Sequence, residues 1–269
     1  MIITTHFKRL RAFMVKIIQE KTSPQSKKGV DMQLLVGMEN GADGRPLAWA
    51  LDHPGCYAYG ADSAEAVVNL APAFLAFKAW IGRHTRENWL ADVRDVDVRL
   101  SEVWEVYNID ENYNATPDGS YEVNAWFRHD WKPVTRLDVR RGLQVLAFSR
   151  ADLLELVQGL PDEILDRTYP RERWSIRGVM GHIAKAEWWY MDRLEQAGVA
   201  RSSLPENIFE QLAAVRAQLE KVLPGLEGVN LVRGVDGEFW SPRKLLRRSI
   251  WHELDHIEHI RKLLAFPTA

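Results

Sequence analysis

A chain of 269 residues, 46% of them hydrophobic, can bury a large core, and its length favours two domains over one. Its formal net charge of −2 lacks the basic excess that tracks nucleic-acid phosphates, so nucleic acid is not an expected partner. The single cysteine, Cys56, excludes an internal disulfide and a thiolate metal cage. With no apolar run approaching about 20 residues, we expect a cytoplasmic protein that does not cross a membrane.

Residues 1–31 carry seven basic and two acidic side chains, a net charge of +5 that leaves −7 for the rest of the chain. This asymmetry predicts a separate segment, which we interpret as a basic tail. A targeting leader is one alternative, although the apolar stretch is too short for a secretory signal. Because Met32 opens the first clear strand pattern, a start codon assigned too early is another.

Residues 32–132 predict a small antiparallel β-sheet module with one helix. Alternating apolar residues and turn residues predict strands at 32–37, 46–51, 56–59, 96–100, 103–109 and 121–127. Asp62 and Ser63 form an N-cap signal for a helix that ends near Ile81.

From about Thr135 the apolar period changes from 2 to 3.6. This pattern predicts four helices joined by short loops, at about 135–158, 175–196, 205–223 and 241–264. The predicted fold class is therefore α+β, with a boundary near Lys132 and Pro133 and a four-helix bundle over 133–269.

Three histidines stand out in the predicted bundle. His252 and His256 are four residues apart, so they lie on one face of the last helix, and His182 lies about two turns into the second helix. Imidazoles placed in this way can converge on one divalent ion. A satisfied or exposed histidine is the alternative for His182, and His259 could replace His252 as the partner of His256.

The segment Trp174-Ser-Ile-Arg-Gly-Val-Met-Gly-His182, together with His252-Glu-Leu-Asp-His256, resembles the DinB-like family of four-helix-bundle metalloproteins over about residues 135–266. Where many members continue with a glycine-glutamine step, this chain has Glu258-His259. The resemblance implies a divalent transition metal, zinc or nickel, on His182, His252 and His256. It further implies a metal-dependent transferase or hydrolase that activates a low-molecular-weight thiol or a water for reaction with a small-molecule substrate.

The alternative is a non-enzymatic partner-binding protein with a structural metal. No catalytic side chain is identified, because Cys56 belongs to the other module and is expected to be a strand residue. Arg248, one turn before His252, could bind an anionic substrate group, although a solvated basic face with Arg243, Lys244 and Arg247 is the alternative. Glu187 could orient a ligand or act as a base, and a surface carboxylate is its alternative.

The segment Pro54-Gly-Cys-Tyr-Ala-Tyr-Gly60 and the helix after Asp62 resemble the HicB antitoxin-type fold over about residues 32–82. Such modules bind partners and lack nuclease residues, so we expect no catalysis from Asp43, Asp52 or Asp62. The module is expected to serve as a lid, a homodimer surface or a partner-binding surface.

Overall fold

The computed structural model describes residues 30–42 and 44–266. Its N-terminal sheet contains four strands in the order β3-β2-β1-β4. The strands are β1 (Val30–Ala42), β2 (Arg45–Ala50), β3 (Tyr57–Tyr59) and β4 (Val93–Glu105). The basic tail up to residue 29 and Asp43 lie outside the described residues.

The sheet is mixed, which corrects the prediction of an antiparallel sheet. Strands β1, β2 and β3 pair antiparallel, but β4 runs parallel to β1. The cause is the crossover helix α1 (Ser63–His84), which carries the chain back across the sheet before β4 begins. The predicted α+β class itself is confirmed.

Helix α1 packs one apolar face against this sheet. The Asp62 carboxylate accepts a hydrogen bond from Glu65 N at 2.8 Å and caps the helix start. Leu70, Phe74 and Ile81 are fully buried on the inner face. By length and composition α1 could cross a membrane, but a core helix of this kind passes the same test.

The predicted second hairpin is present as β5 (Tyr107–Ile109) and β6 (Tyr121–Val123), which pair antiparallel. The bundle follows as four helices: α2 (Arg136–Val157), α3 (Ile176–Asp192), α4 (Ile208–Val222) and α5 (Pro242–Leu264). A one-turn helix, Asp162–Leu165, precedes α3, and a short hairpin of β7 (Arg233–Val235) and β8 (Glu238–Trp240) leads into α5. All four bundle helices lie within a few residues of their predicted positions.

The sheet and the bundle share one core, and α5 is the helix where they meet. Trp49 of β2 and Trp251 of α5 have ring centroids 5.4 Å apart. A Cβ at Gly55 would lie 2.9 Å from Ile250 Cγ2, so the loop before β3 approaches α5 too closely for any side chain. The sheet therefore covers one side of α5. The predicted division at residue 132 stays a prediction.

Candidate metal centre

The bundle brings His182, His252 and His256 together. Their Nε2 atoms lie 3.0 Å apart between His182 and His252 and 3.1 Å apart between His252 and His256. All three donor atoms lie within 4.8 Å of one another. Among the described residues, these three form the one group of three or more histidine, cysteine or acidic side chains whose donor atoms lie close enough to hold a metal ion.

Well-defined helix starts place these rings. Ser175 accepts from Gly178 N at 3.2 Å to begin α3, and Ser241 accepts from Lys244 N at 3.2 Å to begin α5. His252 and His256 are one turn apart on α5, so both imidazoles point toward α3. The ligand set thus depends on the α3–α5 contact.

Aromatic rings support the histidines. Trp174 stacks on His182 with ring centroids 4.5 Å apart, and Tyr190 meets His252 edge to face at 5.8 Å. A Cβ at Gly178 would lie 3.0 Å from Trp174 Cβ, so the glycine makes room for this tryptophan. Gly178 thus packs against the residue whose ring stacks on His182.

Two of the imidazoles, those of His252 and His256, are held in their neutral form. Burial lowers the pKa of His252 well below its usual value, and the neighbouring histidines and Arg248 lower it further. Burial, assisted by His182 and His259, lowers the pKa of His256 to about 3. Neutral imidazole is the form that binds metals, because its lone pair is free.

The donor set fits a divalent transition metal. A tetrahedral ion bonded to nitrogen at about 2.0–2.1 Å requires nitrogens about 3.3 Å apart, close to the separations observed here. The buried Nδ1 of His256 has no hydrogen-bond partner among the described residues, so no other part of the described chain holds this nitrogen. Three neutral ligands leave the charge of such an ion uncompensated and a coordination position open.

Glu187 lies in a buried ionic network rather than on the surface, so its surface alternative is wrong. Only 3% of Glu187 is exposed, and Arg216 donates to its two oxygens at 2.7 and 3.0 Å. Arg150 donates to both Glu187, at 3.1 Å, and Glu253, at 2.6 Å. Ser149 completes the network by donating to Glu253. These contacts show that Glu187 takes part in the packing of the bundle. A direct role for Glu187 at the metal stays a prediction.

The basic residues at the start of α5 are buried, so the solvated basic face is also wrong. The sheet and the preceding loops cover them and supply acidic partners. Lys244 donates to Glu238 at 2.6 Å, and Arg247 donates to Asp130 at 2.6 Å. The exposed fractions are 7% for Arg243, 0% for Lys244, 2% for Arg247 and 6% for Arg248.

Arg248 connects the N-terminal module to the histidines. Its Nη2 donates to Asn124 Oδ1 at 2.7 Å, and its Nη1 lies 3.6 Å from the buried Glu39 carboxylate. Burial disfavours its charge, but Glu39 and a hydrogen bond with Tyr190 outweigh burial and raise the pKa of Arg248. Nε and Nη1 have no hydrogen-bond partner among the described residues. Its use as a substrate-binding group stays a prediction.

The remaining candidates are not part of the three-histidine group. His259 contacts Glu172 at 2.9 Å and does not belong to the cluster. Cys56 is buried just before β3, and burial raises the pKa of its thiol to about 12, which makes it a poor nucleophile. Asp52 pairs with His129 at 2.9 Å, and Asp62 caps α1.

Sequence reasoning did not identify the ionic network, Tyr190, or the stacking role of Trp174. One signal was available: Arg216 occupies a core position in the apolar stripe of Leu212, Val215 and Leu219. A charged residue on a buried stripe requires a buried partner. The partners Glu187 and Glu253 come from two other helices, so their identity required the fold.

Three comparisons with known proteins bear on the bundle. Residues 146–260 match the model of the DinB superfamily. A protein of Oceanobacillus iheyensis, provisionally named a metal-dependent hydrolase, is 26% identical over 154 residues, which cover 49% of this chain and 88% of that protein. The structure of YfiT from Bacillus subtilis, described as a probable metal-dependent hydrolase with an unusual four-helix bundle topology, matches at 20% identity and a TM-score of 0.40 over 55% of this chain and 93% of YfiT. The prediction that the C-terminal part is DinB-like is confirmed, whereas the HicB-like resemblance stays a prediction.

Proposed function

We propose that this chain, DinB-like in its C-terminal part, is a metal-dependent enzyme that acts on a small molecule carrying an anionic group. His182, His252 and His256 would hold one divalent ion, zinc or nickel. The reaction is hydrolysis, or transfer of a low-molecular-weight thiol. The observation that carries this proposal is the approach of the three Nε2 atoms, 3.0 Å between His182 and His252 and 3.1 Å between His252 and His256.

A divalent ion held by His182, His252 and His256 would acidify a bound water or thiol. The chain itself holds the rings of His182 and His252 in place through Trp174 and Tyr190, and burial keeps His252 and His256 unprotonated. Cys56 supplies no nucleophile, because it is buried with a raised pKa. The nucleophile must therefore come from outside the chain.

Arg248 is the group we assign to the anionic part of the substrate. It lies one turn before His252, its charge lowers the pKa of that histidine, and two of its nitrogens have no hydrogen-bond partner in the described part of the chain. A guanidinium suits a carboxylate or phosphate; in the structure its Nη2 is bonded to Asn124 and its Nη1 faces Glu39 at 3.6 Å.

The rival is a structural ion in a partner-binding protein. A structural ion is enclosed by four protein ligands, whereas a catalytic ion keeps an open position. His182 and His256 are only half-buried, while His252 is buried, so one side of the cluster reaches the surface. That asymmetry supports the catalytic assignment.

The experiment is a substrate screen on metal-loaded protein. Ester, amide and electrophile substrates with and without a carboxylate are assayed with water alone and with added small thiols, in wild type, His252→Ala and His259→Ala. We expect turnover that His252→Ala abolishes and His259→Ala retains. Turnover that persists in wild type after removal of the metal, and persists in His252→Ala as well, would rule out the proposal.

Arg248→Met tests the substrate class separately. We expect KM for the anionic member of a substrate pair to rise while KM for its neutral analogue and the metal content stay unchanged. Because Glu39 loses its ion pair in this variant, the Glu39→Gln, Arg248→Met double variant is measured beside it. Equal effects on anionic and neutral substrates in both variants would remove Arg248 from the substrate site.

A further inference from the structure

Strand β4 forms one edge of the four-stranded sheet. Within the described residues no strand pairs with it on the side away from β1. It is thirteen residues long, and large apolar side chains on it are exposed, with Leu100 and Val103 each 52% accessible. A long edge strand with exposed apolar residues is a template for pairing with another strand.

The sequence of β4 is complementary to itself when read antiparallel about Val98. In this register Val98 lies opposite the partner's Val98, Val96 lies opposite the partner's Leu100, and Asp97 lies opposite the partner's Arg99. Three apolar pairs and two opposite-charge pairs result from the two-fold symmetry. Arg94 and Ser101 are left unmatched where β4 pairs with β1, so beyond the five central residues Asp95 falls opposite Glu102 and Val93 opposite Val103.

Other symmetric registers pair residues 96–100 less well. A two-fold axis perpendicular to the sheet places residues of the same face opposite each other. The axis must therefore pass through one residue, and alternative registers differ in which residue lies on it. Centring on Asp97 or on Arg99 places like charges opposite each other, and centring on Val96 places Asp95 opposite Asp97. Centring on Leu100 pairs Arg99 with Glu102 and Val98 with Val103, but it places Asp97 opposite Trp104 and Val96 opposite Glu105.

The helix above β4 offers a second apolar surface at the same edge. Lys78 of α1 donates to Val93 O, which places that side of α1 over β4. Leu75 and Val68, one and three turns earlier on the same side, are 48% and 70% exposed. Pairing through β4 would bring this stripe toward its copy across the two-fold axis.

We propose that β4 is the interface of a homodimer, in which two copies pair antiparallel about Val98 to form one continuous eight-stranded sheet. The occupant is a second copy because the charges and apolar residues of 96–100 complement their own reversed order. The proposal does not depend on the metal centre or on the activity proposed above.

Charge exchange across the axis tests the register. Asp97 and Arg99 are 52% and 61% exposed at their side chains, so substitutions there leave the core intact. Asp97→Arg and Arg99→Asp each place like charges opposite each other in a homodimer, whereas an equimolar mixture of the two variants, and the double variant, restore opposite charges. Sedimentation velocity of the full-length chain over a concentration series measures the dissociation constant of each sample. The control is Glu220→Arg, which changes an exposed residue of α4.

We expect a wild-type dimer, a dissociation constant weakened about tenfold or more in each single variant, and recovery in the mixture and in the double variant. Glu220→Arg should match wild type. A wild-type chain that stays monomeric at the highest concentrations would overturn the proposal. A dimer that the single variants do not weaken, or that the mixture does not restore, would overturn it as well.

Discussion

Arg216 donates from Nη2 to the Glu253 carboxylate at 2.8 Å, which ties α4 to α5 one residue after His252. The histidine and the glutamate are adjacent on α5 but face different neighbours: His252 meets His182, and Glu253 meets the two arginines of the bundle. A buried ionic network therefore fixes the helix that carries two of the three candidate ligands.

Neutralising that network should destabilise the bundle. Glu253→Gln leaves Arg150 and Arg216 with one carboxylate, Glu187, inside the bundle. Breaking a buried network on one side costs about 3–5 kcal/mol because the remaining charge is uncompensated. Urea unfolding measures the free energy, with the exposed Glu220→Gln as control. Equal stability of the two variants would show that the network contributes little.

Close packing against β1 gives a second prediction. A Cβ at Gly37 would lie 2.8 Å from the ring of Phe127, which is fully buried. Gly37→Ala should lower the free energy of unfolding by about 1–3 kcal/mol, because the ring cannot move without opening the core. At Gly225 a Cβ would meet nothing within 4 Å, so Gly225→Ala is the control. A neutral result at Gly37 would contradict the packing described.

Stability of the metal-free protein should depend on pH through the histidines. Their pKa values are lowered in the folded state, to about 3 for His256 and well below the usual value for His252. Below about pH 6.5 the unfolded chain binds protons that the folded chain does not, so the free energy of unfolding falls as the pH decreases. Urea unfolding at several pH values measures this slope.

The control for that slope is the His252→Gln, His256→Gln double variant, which removes both groups. Its stability should depend less steeply on pH between about 4 and 6.5. Identical slopes in the variant and the wild type would mean that these histidines titrate normally in the folded protein.

The elements of the bundle could be predicted because their signals are local. Ser175 and Ser241 mark helix starts, and the spacing of His252 and His256 places both rings on one face. The sheet was harder to predict from sequence. The parallel pairing of β4 with β1 depends on where the chain returns to the sheet after the crossover helix α1, and no short sequence pattern encodes this position.

The burial of the basic residues on α5 could not be predicted from their own segment. Lys244 and Arg248 look like surface residues in sequence, but Glu238 and Glu39 meet them from β8 and from β1. The Arg248–Glu39 pair exists only after the sheet has docked on α5, whereas Glu238 comes from the hairpin that leads into α5. Glu187 also has long-range partners, because its arginines lie on α2 and α4.

Metal content of purified protein tests the central claim most directly. Inductively coupled plasma mass spectrometry is applied to wild type, His182→Ala, His252→Ala, His256→Ala and the control His259→Ala, each loaded with zinc or nickel and then desalted. We predict about one ion per chain in wild type and His259→Ala, and loss of most of the metal in each of the other three variants. Unchanged metal content in those three variants, or equal loss in His259→Ala, would contradict the account.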